Sequence, residues 1–434
     1  MFETFRNAWK IEDLRKRLLY TLLILILFRL GCAIPVPYIT SSALESMFTT
    51  GSMLTYLNMM SGGAMSRCTI FALGVQPYIN ATIIIQLLCV AIPYLENLSK
   101  EGEEGRQKLT KISNYTGAAI ALLLSIAYYF IIRRMGALKY TDGFAGIFSG
   151  IVIVACFTAG AQFVTWMGNQ IDAKGIGNGL SLLIFAGIVA DWSRVGSSFQ
   201  DMLTRAQAGA SGYYIMIPAM VILALVAVVF VVILTNAERR IPVQYAKRVV
   251  GRKMYGGQST EIPIKVNANG VMPLIFAFSI LSFPELIGTL FGWQGFINWW
   301  QKWLGASSRY PFYSIVLCLL ILFFAFFYSQ IQFQPEDISK TIQQNGGFIP
   351  GIRPGKPTAD YLKKTSDRLT LFGAIFLALL ALIPSLILNA ILPSASTSGS
   401  FSATGMLIVV SVALEFNTAL ESQIMAKKYK GFLK

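Results

Sequence analysis

Residues 74–88 read Gly74-Val75-Gln76-Pro77-Tyr78-Ile79-Asn80-Ala81-Thr82-Ile83-Ile84-Ile85-Gln86-Leu87-Leu88. The stretch opens as a membrane helix does, with Pro77 in the first turn, where a missing N–H costs nothing. Yet it carries Gln76, Tyr78, Asn80, Thr82 and Gln86, which a lipid-facing helix does not keep without partners. Helical spacing sets Val75, Ile79 and Ile83 on one stripe, so stiff β-branched residues run beside a polar edge. Just upstream, Ser61-Gly62-Gly63-Ala64-Met65-Ser66-Arg67-Cys68 is small, polar and too short to cross a bilayer. A span that begins at membrane depth behind such a segment points to a cavity closed by a plug. An ordinary outward loop with a frayed helix is the other reading of residues 37–71, since a re-entrant plug is permitted only where protein or water surrounds it.

The whole chain agrees with a membrane setting. Its 434 residues are 55% hydrophobic and 13% charged, with mean hydropathy +0.59, whereas soluble domains carry roughly 25% charged residues. Ten apolar runs lie near 18–35, 72–92, 112–132, 146–167, 178–191, 213–235, 267–291, 311–331, 369–390 and 401–421. The net charge of +15 might be read as a nucleic-acid surface, but its placement argues otherwise. With the N-terminus cytoplasmic, 27 of the 36 Lys and Arg fall on cytoplasmic segments and eight on outward ones, Arg29 lying inside the first span. That bias predicts both termini in the cytoplasm. Cys32, Cys68, Cys89, Cys156 and Cys318 form no CxxC, so neither a disulfide framework nor a metal site is expected. No cofactor is expected either.

Residues 1–17 mix Phe5 and Trp9 with Arg6, Lys10, Arg15, Lys16 and Arg17, the pattern of an interfacial amphipathic helix. Arg29 is read either as a snorkelling side chain near the outer end of the first span or as the holder of a buried partner. Gly175-Ile176-Gly177-Asn178-Gly179 resembles a phosphate loop superficially, but no strand precedes it and it heads a membrane helix. Its glycines permit close backbone approach, as in a crowded pore wall. Gly74-Val75-Gln76-Pro77 is echoed by Gly270-Val271-Met272-Pro273 at the start of the seventh span, which suggests two duplicated five-span halves.

Two cytoplasmic loops are long. Residues 236–266 alternate apolar and polar positions, as in a projecting hairpin, and carry Arg239, Arg240, Lys247 and Arg248. Residues 332–368 hold Gly346-Gly347-Phe348-Ile349-Pro350-Gly351-Ile352-Arg353-Pro354-Gly355, where prolines and glycines fix tight turns around Arg353. A guanidinium presented this way suits a carboxylate or an RNA phosphate.

Several of these blocks, in their order, closely resemble the SecY family, the channel subunits of the bacterial Sec protein translocon. They are Ser61-Gly62-Gly63-Ala64 with Ile70-Phe71-Ala72-Leu73-Gly74, Pro77-Tyr78-Ile79, and Ile83-Ile84-Ile85-Gln86-Leu87-Leu88. Glu101-Gly102-Glu103 with Gly105-Arg106, the 175–179 run with Ile184-Phe185-Ala186-Gly187-Ile188, Tyr245-Ala246-Lys247-Arg248, Lys265-Val266-Asn267 and Phe348 to Gly355 complete them.

The resemblance implies an all-α polytopic membrane protein of ten transmembrane helices, arranged as two inverted five-helix halves around a central pore with a re-entrant plug helix. Residues 18–191 form the first half and 192–421 the second, with the amphipathic 1–17 before them and a cytoplasmic tail, 422–434, after. It assigns the pore constriction to Val75, Ile79, Leu180, Ile184, Ile275 and Ile408, with Val75 and Leu180 standing where isoleucine is common. The plug falls on about 54–68, with Met60, Ser61, Gly62, Gly63, Ala64 and Arg67. The lateral gate falls between spans two and seven, with Ile83, Gln86 and Asn267, and hydrogen bonds from Gln86 and Asn267 would hold it shut. Arg353, then Arg239, Arg240, Lys247 and Arg248, would dock a SecA motor ATPase or a ribosome. The implied companions are SecE and SecG subunits, membrane lipids and polypeptides bearing signal sequences, in the bacterial plasma membrane.

Two other classes fit the sequence less well. A secondary transporter needs a coupling carboxylate near the midplane, and Glu285 and Glu415 lie away from the expected waist. An intramembrane hydrolase lacks histidine, and Asp191 and Glu421 sit at span ends with no matching pair. Without a Walker motif the chain hydrolyses no nucleotide itself, so an enzyme is not expected.

Overall fold

A computed structural model describes residues 2–40, 58, 61–190, 200, 202–204, 206–207, 212–245, 248–250, 253–255, 259–267, 270–305, 312–391 and 403–432. Each of the ten expected spans falls on a helix. In chain order the helices are α1 (Phe2–Trp9), α2 (Glu12–Gly31), α3 (Gln76–Ala91), α4 (Pro93–Lys100), α5 (Glu103–Arg134), α6 (Gly143–Lys174) and α7 (Gly179–Ala190). After them come α8 (Gly212–Asn236), α9 (Met272–Phe291), α10 (Gln294–Leu304), α11 (Phe312–Gln332), α12 (Pro335–Gln344), α13 (Lys356–Ile391) and α14 (Ala403–Phe432). By length and hydropathy alone, five of the described helices suffice to cross a membrane, and α3 with α4 makes a sixth candidate, bent by 107°. Pro93 explains that bend, because the residue before a proline leaves the helical region, and Ile92 is extended at φ −111° and ψ 113°.

The helices are apolar on both sides. On α2, Thr21, Ile24 and Phe28 are buried while Leu22, Leu23, Ile26, Leu27 and Leu30 are exposed. On α8, Ile222, Leu225, Val229 and Ile233 are likewise exposed. Water would penalise such surface at about 25 cal/mol per Å2, and lipid does not.

Helices α2, α3, α5, α6 and α7 pack on one another, as do α8, α9, α11, α13 and α14. The two sets meet along two seams, α9 against α3 and α5, and α14 against α7. The sequence echo is also an echo of backbone: Gly74 and Gly270 both take positive φ, +51° and +58°. The Ile79 and Ile275 N–H groups then donate to the Val75 and Val271 carbonyls at 3.1 Å each. Both helices thus start through the same left-handed turn, which glycine enters without steric cost.

One expected element differs. Residues 1–17 are not one amphipathic helix: the chain turns at Lys10 and Ile11, and residues 12–17 belong to α2. Within the plug, Asn58 is helical and the described residues 61–68 that follow are a succession of turns, since Gly62, Gly63 and Cys68 all take positive φ. The first long loop is a hairpin, and it is joined to the second. Strand β1 (Glu238–Tyr245) pairs antiparallel with β4 (Ser259–Lys265), and the pairs β2 (Arg248–Val250) and β3 (Lys253–Tyr255) form the tip between them. β1 also pairs with β5 (Gly347–Phe348) of the second loop, giving the sheet order β4-β1-β5. Ile241, Val243, Ile264, Ile342, Ile349 and Leu362 make one core beneath this sheet.

Candidate channel waist, plug and gate

The six residues assigned to the constriction converge. Val75 precedes α3, Ile79 is on α3, Leu180 and Ile184 are on α7, Ile275 is on α9 and Ile408 is on α14. Val75, Ile79, Ile184, Ile275 and Ile408 belong to one buried apolar cluster, and Leu180 packs against it. These elements supply both sides of both seams, so the cluster joins the two helix sets at the centre. Gly179 permits the approach of α7 to α6, because a Cβ there would lie 2.1 Å from the Gly168 carbonyl oxygen. A ring of branched apolar side chains dewets a constriction and excludes ions. It makes no directional bonds, so it also yields around a passing chain.

Ala64 belongs to the same cluster, while Met65 and Cys68 belong to a second one built on α5 and α6. The plug segment therefore lies in the bundle interior, with Ser61 to Ser66 buried and Arg67 exposed. Its polar groups are satisfied internally. Ser66 N–H donates to Asn58 Oδ1 (2.8 Å), Ser61 Oγ to the Asn58 carbonyl (2.9 Å), and Ser66 Oγ to the Gly63 carbonyl (3.1 Å). The neighbouring spans add to this: Tyr128 on α5 donates its hydroxyl to the Met65 carbonyl (2.5 Å), and Cys32 on α2 contacts the Ser61 carbonyl (3.8 Å). The exit is pinned where Val36 N–H meets the Cys68 carbonyl (2.9 Å) and Ile70 N–H meets the Ile34 carbonyl (3.1 Å).

Gly62 is the tightest point. Its φ is +68°, and a Cβ would lie 2.6 Å from Arg29 Nη1 and 3.0 Å from the Gly187 Cα. Arg29 thus reaches inward to the plug turn rather than snorkelling outward, and its Nη1 is buried with no hydrogen-bond partner. Of the expected plug residues, Met60 and 54–57 lie outside the described residues.

The gate seam is different in character. Ile83 is buried within the central cluster beside Val271, Leu274 and Phe278, and Asn267 is buried just before α9. Gln86 and Asn267 do not clasp it: Gln86 Oε1 is buried without a partner, as is Asn80 Nδ2 on the same helix. Apolar packing fills the seam, and the expected hydrogen bond between Gln86 and Asn267 is absent among the described residues.

On the membrane-emergent lobe, Arg353 is exposed on a turn that is itself anchored. Thr358 Oγ1 donates to the Arg353 carbonyl (2.8 Å), and Ser339 Oγ to the Gly355 carbonyl (2.7 Å). Arg239 is also exposed. Arg240 is already engaged by Glu238 (2.8 Å) and Glu261 (3.7 Å). Lys247 lies outside the described residues, and Arg248 contributes its backbone to β2 opposite Tyr255.

Tyr128 is the site residue that sequence reasoning did not assign; Asn58 lay inside the expected plug range with no role given, and Arg29 takes the inward of its two readings. The signal for Tyr128 was a hydroxyl in mid-span that requires a partner.

Comparison with known proteins agrees with this geometry. The SecY family model matches residues 69–417. The protein translocase subunit SecY of Streptomyces scabiei is 41% identical over 449 residues, covering 100% of both chains. Among solved structures, one described as a protein-conducting channel superposes with TM-score 0.64 at 20% identity, covering 94% of this chain and 92% of that one. Another, described as showing that the plug domain of the SecY protein stabilises the closed state of the translocation channel and maintains a membrane seal, gives TM-score 0.67 at 20% identity with the same coverage. Matching a family model over most of its length and relatives across all of it, the chain belongs to the SecY family of translocase subunits.

Proposed function

We propose that this chain forms the protein-conducting channel through which unfolded secretory polypeptides cross the membrane, and from which transmembrane segments leave sideways into lipid. The observation that carries the reading is the single apolar cluster in which Val75, Ile79, Ile184, Ile275 and Ile408 meet plug residue Ala64. In the resting state that cluster is the seal, with Leu180 packed at its edge. Residues 54–68 are the plug, and α3 and α9 are the two faces of the lateral gate. The two five-helix halves are related by inversion, as the matched starts of α3 and α9 suggest.

Sorting needs no catalytic group. Leu, Ile and Phe each gain roughly 0.3 to 0.6 kcal/mol at a span's centre, and charged residues cost about 2.5 to 3.5. An apolar signal therefore partitions through an open seam while a polar segment continues through the waist. Work comes from a partner. The shared sheet makes residues 236–266 and 332–368 one docking lobe, on which the exposed Arg353, held on an anchored turn, meets a SecA ATPase or ribosomal RNA. SecE and SecG are the companion subunits. The setting is the bacterial plasma membrane, with both termini and the lobe cytoplasmic.

The test is reconstitution with the motor ATPase and a secretory precursor. Protease-protected precursor should accumulate inside the vesicles, and Arg353→Glu should abolish it while the protein remains folded and inserted. No protected precursor with the native chain would overturn the channel reading. Normal export by the Arg353→Glu variant would remove the lobe tip from the mechanism.

A further inference from the structure

Helix α10 connects the ends of α9 and α11 that lie opposite the β-sheet lobe. α9 spans twenty residues, about 30 Å at 1.5 Å per residue, which matches the hydrocarbon core. The connector therefore sits at headgroup level on the face away from the lobe. Four of the chain's seven tryptophans lie here: Trp299, Trp300 and Trp303 within the eleven residues of α10, and Trp293 as its N-cap.

Aromatic rings touch at both ends of the connector. Phe291 stacks on Trp293 (5.2 Å), Phe296 meets Trp293 (6.4 Å), Trp299 (6.3 Å) and Trp300 (5.8 Å), and Trp303 meets Phe312 at the start of α11 (5.5 Å). Trp293 and Trp299 remain more than half exposed, whereas Ile297 on the other face is buried. The exposed side continues directly into apolar surface of the flanking spans, through Phe291 of α9 and Phe312 and Ile315 of α11. From residue 286 to 311 the sequence holds no acidic residue, and its cations are Lys302 and Arg309.

The helix is also fixed to the gate. Gln301 Nε2 donates to Glu285 Oε1 of α9 at 2.9 Å. The Arg134 guanidinium of α5 lies over Gly292, where a Cβ would collide with it at 2.1 Å. That contact reaches across the seam from the other helix set.

We infer that α10 is a lipid anchor, with its exposed aromatic face seated among the phospholipid headgroups beside the outer mouth of the lateral gate. Indole rings with an apolar body and one N–H donor favour that layer, and the lack of acidic groups suits a surface that carries lipid phosphates. The anchor is rigidly joined to gate helix α9, so an opening seam must carry it through the headgroup layer. This inference rests on the membrane reading above.

The test uses the full chain with its co-purifying subunits in vesicles of phosphatidylcholine brominated at shallow or at deep acyl carbons. Tryptophan emission is read in two variants. A variant with Trp9, Trp166 and Trp192 changed to Phe keeps the four α10 tryptophans, and shallow bromines should quench it more strongly than deep ones. The complementary Trp293→Phe, Trp299→Phe, Trp300→Phe and Trp303→Phe variant should lose more than half of the native bromolipid quenching. Its remaining Trp166, half-exposed on α6, serves as the insertion control. If the α10 tryptophans are quenched by aqueous iodide and by neither bromolipid while Trp166 is quenched by bromolipid, the anchor is overturned and the membrane reading stands. Quenching of α10 that is stronger with deep bromines also overturns it. If Trp166 escapes bromolipid as well, the membrane reading itself fails.

Discussion

The proposed plug turn and the α3–α9 seam both border the central apolar cluster, and they differ in how their buried polar groups are met. In the plug, Asn58, Ser61, Ser66 and Thr69 are hydrogen-bonded within the turn itself. In the seam, apolar side chains do the packing, and on its helix α3 Asn80 and Gln86 leave polar atoms buried without partners among the described residues. A buried polar group left unsatisfied costs about 1–3 kcal/mol. The plug turn is thus largely satisfied within itself and tied to α2 and α5 by a few further bonds. The Arg29 Nη1 beside Gly62 is its one neighbouring group without a partner among the described residues. Helix α3, by contrast, carries a standing penalty that water or a polar partner would relieve. On the proposed function, the plug seals and the gate is poised.

The largest effect expected is from removing the plug. Deleting residues 57–67 should leave a resting channel that conducts ions in planar bilayers, and unchanged conductance would mean that the apolar waist seals alone. A smaller effect is expected from Asn58→Ala, which orphans the buried Ser66 N–H and withdraws the acceptor that organises the turn. The turn should lose about 1–3 kcal/mol, read as an intermediate leak.

The seam should respond in the other direction. Asn80→Leu with Gln86→Leu removes the unpaired groups, which is neutral to stabilising when shape is kept. The double variant should melt higher and export precursors with weakly apolar signals more slowly. Faster export would show that these side chains close the gate rather than strain it.

The smallest effect is expected far from both regions, where Asp13 of α2 contacts Lys427 of α14. The Lys427 ammonium, through its hydrogen bond and its charge, holds the Asp13 carboxyl below its ordinary value of 3.8. A depressed carboxylate pKa contributes stability that is present above the unfolded value and is lost as pH falls through the folded one. The tie should therefore persist at neutral pH and loosen only below about 3.8. Asp13→Asn should raise protease nicking of the C-terminal segment without altering resting conductance.

The spans were legible because lipid imposes long apolar runs, and the ends that moved were those where a helix continues past the bilayer, as α13 does from Lys356. The waist was legible only by family resemblance: nothing local distinguishes Ile408 from Val409, which is also buried in the central cluster. The β1–β5 pairing was not legible, because two residues at Gly347 and Phe348 join a strand that ends about a hundred positions earlier. No short-range pattern encodes such a match. The inward turn of Arg29 was open for a related reason, since its destination is a glycine thirty-three positions away. The absent clasp between Gln86 and Asn267 shows the limit of reading polar residues as pairs: residue type gives a capacity to bond, and backbone placement decides whether it is used.

The central claim is that the waist is the path of the translocating chain. Single cysteines at Ile79, Ile184, Ile275 and Ile408 should each crosslink to a cysteine in a secretory precursor stalled midway, while a cysteine at lipid-exposed Ile222 should not. Failure of all four waist positions, with the precursor demonstrably stalled, would contradict the account.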